Sequence, residues 1–110
     1  MIRFGKLSDM KNGWFIGNFE PTLIKTEKFE LALHEHQKGY KGQFHYHKYS
    51  NEINLVVSGK IIVDDKELIK GDIFIVEPYD IPYVEFLEDT VLVVARDGSF
   101  PGDKVIWELK

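Results

Sequence analysis

Between residues 29 and 34 a large apolar residue recurs at every second position. Phe29, Leu31 and Leu33 are separated by Glu30, Ala32 and His34, and a period of two predicts a strand. Ile53, Leu55 and Val57 repeat the pattern against Asn54, Val56 and Ser58, after which Ser58-Gly59-Lys60 makes a tight turn. Short apolar pieces follow: Ile61-Ile62-Val63 closed by Asp64-Asp65-Lys66, then Glu67-Leu68-Ile69 closed by Lys70-Gly71-Asp72, then Ile73-Phe74-Ile75-Val76. Pro78-Tyr79-Asp80-Ile81-Pro82 reads as a loop, because each Pro removes a ladder donor and fixes φ. Val91 to Val94 is apolar at every position, the mark of a strand covered on both faces. Only Thr22 to Leu31 holds helix-compatible residues, and it lacks a capped amphipathic run. Turn signals at intervals of about ten residues argue for an antiparallel sandwich or barrel. The expected class is all-β.

Composition narrows the function classes. A chain of 110 residues with 44% apolar content and no linker-like segment or internal repeat is read as one domain, residues 1–110. Fourteen basic against eighteen acidic residues give a net charge of −4 with no basic stripe, which disfavours nucleic acid and anionic membranes as partners. The absence of Cys removes a disulfide frame, a thiolate zinc site and a Cys nucleophile. The longest apolar run, Val91 to Ala95, is five residues, and the first twelve hold no stretch suited to a signal peptide. A soluble cytoplasmic protein is the expectation.

The four histidines carry the candidate chemistry. All lie between positions 34 and 47, as His34-Glu35-His36 and His45-Tyr46-His47. In a strand, residues i and i+2 share a face, so His45 and His47 are placed to offer two imidazoles to one ion. Glu52 lies beyond the polar Lys48-Tyr49-Ser50-Asn51 turn and supplies a carboxylate from the next strand. Two His and one carboxylate leave coordination positions open, an arrangement suited to Fe(II) and also to Mn, Ni or Zn. An isolated His-x-His also occurs on exposed strands with no metal role, so the surrounding spacing matters.

That spacing is Gly39, five residues, His45, one, His47, four, Glu52, six, Gly59. It resembles the first motif of the cupin superfamily, Gly-x5-His-x-His-x3,4-Glu-x6-Gly. Gly71-Asp72 and the strand and Pro loop after it resemble the second motif, so the likeness runs from about Gly39 to Leu87. The resemblance implies a small antiparallel β-barrel, the double-stranded β-helix or jelly-roll-like architecture, with a divalent metal ion held inside by His45, His47 and Glu52. It also implies a homodimer.

The second motif departs from Gly-x5-Pro-x-Gly-x2-His-x3-Asn. Six residues separate Gly71 from Pro78, Asp80 replaces the second Gly, Tyr83 stands where the His ligand is expected, and Leu87 replaces the Asn. Three outcomes are open: a three-residue site completed by water, a further ligand from His34, His36, Tyr83 or Glu85, or a barrel without metal. A turn at Gly39 to Gly42 would fold strand 29–36 beside strand 43–47 and bring the two His pairs together, in a register the sequence leaves undetermined.

Strand parity sets the rest of the lining. With Glu52 inward, Asn54, Val56 and Ser58 follow, and Ile53, Leu55 and Val57 face the opposite side. Inward Tyr83 brings Ile81 and Glu85 with it, while Gln43 shares a face with His45. Gln43, Asn54 and His36 are the candidate substrate contacts. Tyr83 and Glu85 are the candidate proton-transfer groups. Asp97 to Lys104 reads as an exposed loop. The leading reading is a metal site acting on or binding a small polar metabolite, a sugar derivative or an organic acid. As an enzyme it would be a metal-dependent oxygenase or a carbohydrate isomerase or epimerase. The rival is a non-catalytic metabolite-binding or sensing barrel, favoured by the missing second-motif His.

Overall fold

The computed structural model of the chain describes residues 1–107. Its strands are β1 (Trp14–Gly17), β2 (Ile24–Lys25), β3 (Glu30–His36), β4 (His45–His47), β5 (Glu52–Ser58) and β6 (Lys60–Val63), followed by β7 (Lys66–Ile69), β8 (Ile73–Val76), β9 (Val84–Phe86), β10 (Thr90–Arg96) and β11 (Lys104–Ile106). Among the described residues the sole helical element is a 3-10 turn at Leu7–Asp9. The helix-compatible stretch from Thr22 forms β2 and leads into β3 instead. The all-β expectation holds.

A six-stranded sheet runs in the order β2-β1-β3-β10-β5-β8, and its pairs are antiparallel except for β1 with β2. A three-stranded sheet, β7-β6-β9, and a two-stranded one, β11-β4, complete the structure. The apolar core joins Ala32, Val56, Leu92 and Val94 of the large sheet to Ile61, Leu68 and Phe86 of the three-stranded sheet. Burying Val56 and Ile61 completely contributes roughly 1.5–3 kcal/mol each.

Gly59 makes the β5–β6 turn with φ +96°, and a Cβ there would run into the Asp89 carbonyl and Thr90. Both its handedness and its lack of a side chain are therefore required.

Register decides which side chains meet. Across β3, β10 and β5, Glu30 pairs with Arg96 and Arg96 with Glu52; the next inward row is Ala32, Val94 and Asn54. The inner face of β3 thus carries Glu30, Ala32, His34 and His36, while Leu31 and Leu33 look outward. The alternation of Phe29, Leu31 and Leu33 identified the strand but not its core side. The outer face is apolar as well, where Leu33 and Val93 line a cavity together with Leu7 and Met10 of the N-terminal segment. Strand β3 does not fold beside β4. It pairs with β1 and β10, and β4 pairs with β11.

The parity expected of β5 is observed as far as Val56, but Ser58, expected inward, is exposed beyond a register shift in the pairing with β10. Asn54 and Val56 are buried, whereas Ile53, Leu55 and Val57 are exposed. Opposite them on β8, Ile75 and Ile73 are exposed too, so this half of the outer sheet face is apolar and uncovered.

Candidate metal centre

His45 and His47 project from β4, and Glu52 opens β5 after the four-residue turn between the strands. One ligand atom from each lies within 4.8 Å of the others. The three residues singled out from spacing therefore converge on a common point. No helix among the described residues is long and apolar enough to cross a membrane.

Each imidazole is oriented so that one nitrogen remains for an ion. His45 Nδ1 is 3.0 Å from the Gln43 carbonyl, and since a carbonyl only accepts, Nδ1 carries the proton and Nε2 is free. His47 is 3% exposed, with Nδ1 3.3 Å from Asp103 Oδ2 and Nε2 3.3 Å from Glu52 Oε2. Neither His47 nitrogen makes a hydrogen bond, an unusual state for a buried imidazole. A cation held between Nε2 and the Glu52 carboxylate would satisfy one nitrogen and leave Nδ1–H directed at Asp103. Carboxylate–histidine–metal relays have this form.

Charge makes the same demand. Glu30, Glu52 and Asp103 are buried or nearly so, and the facing buried cation is Arg96. Three carboxylates against one guanidinium leave two negative charges, which a divalent ion would cancel. Burial opposes ionisation of Glu52, yet His47, Arg96 and His45 outweigh it and pull its carboxyl from 4.5 down to about 2. Burial likewise opposes ionisation of Asp103, but the Ser50 hydroxyl, the Tyr49 amide and His47 hold it below 3.8. Burial, with Lys104 and His47 adding, lowers His45 below 6.5 despite the Gln43 carbonyl and Glu52. A neutral His45 imidazole beside the ionised carboxylates of Glu52 and Asp103 suits a divalent cation.

An uncharacterized conserved protein with a double-stranded beta-helix domain from Klebsiella pneumoniae superposes at TM-score 0.67 and 19% identity, covering 76% of this chain and 74% of that one. KdgF from Halomonas sp. superposes at 0.63 and 21%, covering 69% and 75%. A chain from the crystal structures of the DMSP lyases RdDddP and RnDddQII superposes at 0.68 and 20%, covering 86% of this chain and 52% of that one. The chain has the cupin fold. No family model matches it, and no curated protein matches it in sequence.

The cupin barrel encloses a cavity of about 940 Å³ with the triad in its wall. Asn54 is buried and lines the cavity, and its Nδ2 donates to Glu52 Oε1 at 3.4 Å. Gln43 is exposed and acts on the site through its carbonyl. His36 lines the cavity, stacked on Tyr40 at 4.4 Å between ring centroids. His34 joins it, edge-on to Trp14 at 5.2 Å. Neither belongs to the ligand cluster. Tyr83 is 47% exposed and Glu85 is exposed, so both stand at the cavity rim; Phe86 is buried and Val84 packs on the core instead. The expectation that Tyr83 and Glu85 point inward is therefore corrected.

Three residues of the site were missed. Asp103 was assigned to an exposed loop, yet it is buried and grips the β4–β5 turn through the Tyr49 amide at 2.6 Å and the Ser50 hydroxyl. Arg96 lies over the Trp14 ring at 4.6 Å, with Nη1 2.8 Å from Glu30 Oε1 and Nη2 3.5 Å from Glu52 Oε2. Glu30, the third, also accepts from Ser99 Oγ. The inward phase of Leu92, Val94 and Arg96 was a sequence signal for Arg96; Asp103 had none.

Two outcomes follow. Asp103→Asn keeps the shape but loses the charge that orients His47, and metal affinity measured by competition with a chelator should fall about 10–100-fold. His34 is lowered from 6.5 to about 4, chiefly by burial, with His36 and Arg96 adding. A folded-state value below the unfolded one favours the neutral form, so this contribution is complete above pH 6.5 and is lost as pH falls from 6.5 toward 4. Urea melts across that window should show falling stability, and His34→Gln should flatten the slope.

Proposed function

We propose that this cupin is a small metal-dependent enzyme acting on a small polar metabolite, with one divalent ion held by His45, His47 and Glu52. The carrying observation is the convergence of those ligands around a buried imidazole whose nitrogens lack hydrogen-bond partners. Three protein ligands leave open positions, as catalytic metal sites do and closed structural sites do not. A nitrogen-and-oxygen set of this kind suits Fe, Mn, Ni or Zn. When bound, the ion supplies a Lewis acid beside the cavity.

The chain's own residues supply the rest. Asp103 and the Gln43 carbonyl fix the imidazoles, and Asn54 and Arg96 steady Glu52. His36, with Tyr40 and Phe86, forms an aromatic wall for substrate. Tyr83 and Glu85, at the rim, are the groups assigned to proton transfer. The DMSP lyases named above share the fold and are, by name, lyases.

Equilibrium dialysis against Fe(II), Mn(II), Ni(II) and Zn(II), followed by a turnover screen over organic acids and sugar derivatives, tests this reading. One equivalent of metal and turnover abolished by a chelator support it. Failure of all four ions to bind overturns it. Metal without turnover favours the binding or sensing barrel, a reading encouraged by the apolar Val84 and Phe86 on β9, which offers no inward fourth ligand.

We further propose that a second copy of the chain covers the open outer face. Ile73 and Ile75 are 72% and 54% exposed there beside the exposed Ile53, Leu55 and Val57. The exposed parts of these five side chains amount to roughly 450 Å², about half of the ~800 Å² that each partner contributes to a standard interface, so polar residues around them would complete the contact. Light scattering at micromolar concentration should give a dimer, and Ile73→Glu should convert it to monomer.

A further inference from the structure

We infer that the ligand of the cavity is a small organic anion, whose carboxylate or similar oxyanion head sits between the metal centre and Arg96. This inference rests on the metal-binding reading and adds the substrate class.

The cavity wall has the opposite sign to the chain. The protein carries −4 overall, yet Lys38, Lys41, Arg96 and Lys104 line the cavity against two carboxylates, Glu52 and Glu85. Once a divalent ion balances Glu30, Glu52 and Asp103 together with Arg96, the lining retains three lysines against the single carboxylate of Glu85. Low-dielectric walls focus such a potential and draw oppositely charged ligands inward. A neutral polyol would gain nothing from it.

Arg96 is built to receive the head. Stacking on Trp14 and the 2.8 Å ion pair with Glu30 fix its guanidinium plane. Its Nη2 reaches Glu52 only at 3.5 Å, beyond the 2.7–2.9 Å typical of a charge-assisted bond. The fork is therefore firmly held on the Glu30 side and loosely engaged on the side facing the metal ligand. An oxyanion bound at an open metal position beside Glu52 lies next to that donor. Another part of the cavity lining is aromatic and weakly polar, with His36 stacked on Tyr40 and tilted against Phe86 at 4.8 Å. It suits an unsaturated or otherwise flat carbon body rather than a second charged head.

The experiment pairs each acid with its neutral amide: glycolate with glycolamide, malonate with malonamide, benzoate with benzamide. Cobalt(II)-loaded protein is titrated with each and followed by its visible spectrum and by calorimetry. At least one acid should bind about tenfold or more tightly than its amide, with affinity falling as salt rises. Lys38 and Lys41 are exposed, so Lys38→Glu combined with Lys41→Glu leaves the fold intact. That variant should weaken the acid about tenfold and flatten its salt dependence while cobalt stoichiometry stays at one. Arg96→Lys keeps the charge but loses the fork, and should weaken the same acid with cobalt still bound.

Cobalt binding with amides equal to acids overturns the anion inference and leaves the metal reading standing. Absence of cobalt binding defeats the metal reading. The acid-against-amide comparison by thermal shift on metal-free protein then decides the anion inference, which fails if no acid is preferred.

Discussion

His47→Ala is expected to eliminate stoichiometric metal binding and to lower stability by roughly 3–5 kcal/mol, the cost of breaking a buried charge arrangement by removing one partner. The imidazole is wedged between Glu52 and Asp103 at 3.3 Å from each. Without it, two buried carboxylates face a void, and the metal loses its best-shielded nitrogen. Urea denaturation with excess chelator isolates the structural part, because bound metal adds its own stabilisation by mass action. His45→Ala provides the contrast. That residue is only half-buried and faces no second carboxylate relay, so metal should be lost with a smaller change in the chelated protein. Equal losses for the two variants would contradict the asymmetry described above.

Arg96→Ala should destabilise by a similar amount, roughly 3–5 kcal/mol. Glu30 would be left buried without its guanidinium, keeping only the Ser99 hydroxyl as a side-chain partner, Glu52 would lose its one nearby guanidinium, and Trp14 would lose the cation over its ring. Glu30→Gln in the Arg96→Ala background should recover part of the loss, since it removes the orphaned charge. A double-mutant cycle from chemical melts measures that coupling. Strict additivity of the two substitutions would show that Glu30 and Arg96 do not act as a pair.

What was legible in the sequence followed from local geometry. His45, His47 and Glu52 lie on two strands joined by a short turn, so linear spacing translated directly into a shared point. Parity along β5 correctly sent Asn54 and Val56 inward. The same logic failed at Tyr83 and Glu85. Counting from Pro78 runs one residue out of phase with β9, and in a strand a slip of one exchanges the faces, so Val84 and Phe86 take the inward positions. Period-two alternation identified β3 without choosing its core side, and register with β10 puts Glu30, Ala32, His34 and His36 on the inner face. The site's charge balance was illegible for a third reason. Arg96 meets Glu30 across 66 positions of sequence and Glu52 across 44, and Asp103 reaches Ser50 across 53. Those pairings come from sheet register and loop docking, which spacing does not encode.

Crystals grown with cobalt(II) and measured on both sides of the cobalt absorption edge test the metal centre most directly. The account requires one anomalous peak about 2.0–2.2 Å from Nε2 of His45, Nε2 of His47 and a carboxylate oxygen of Glu52. A cavity without that peak in cobalt-saturated crystals, or a peak held by other side chains, would contradict it.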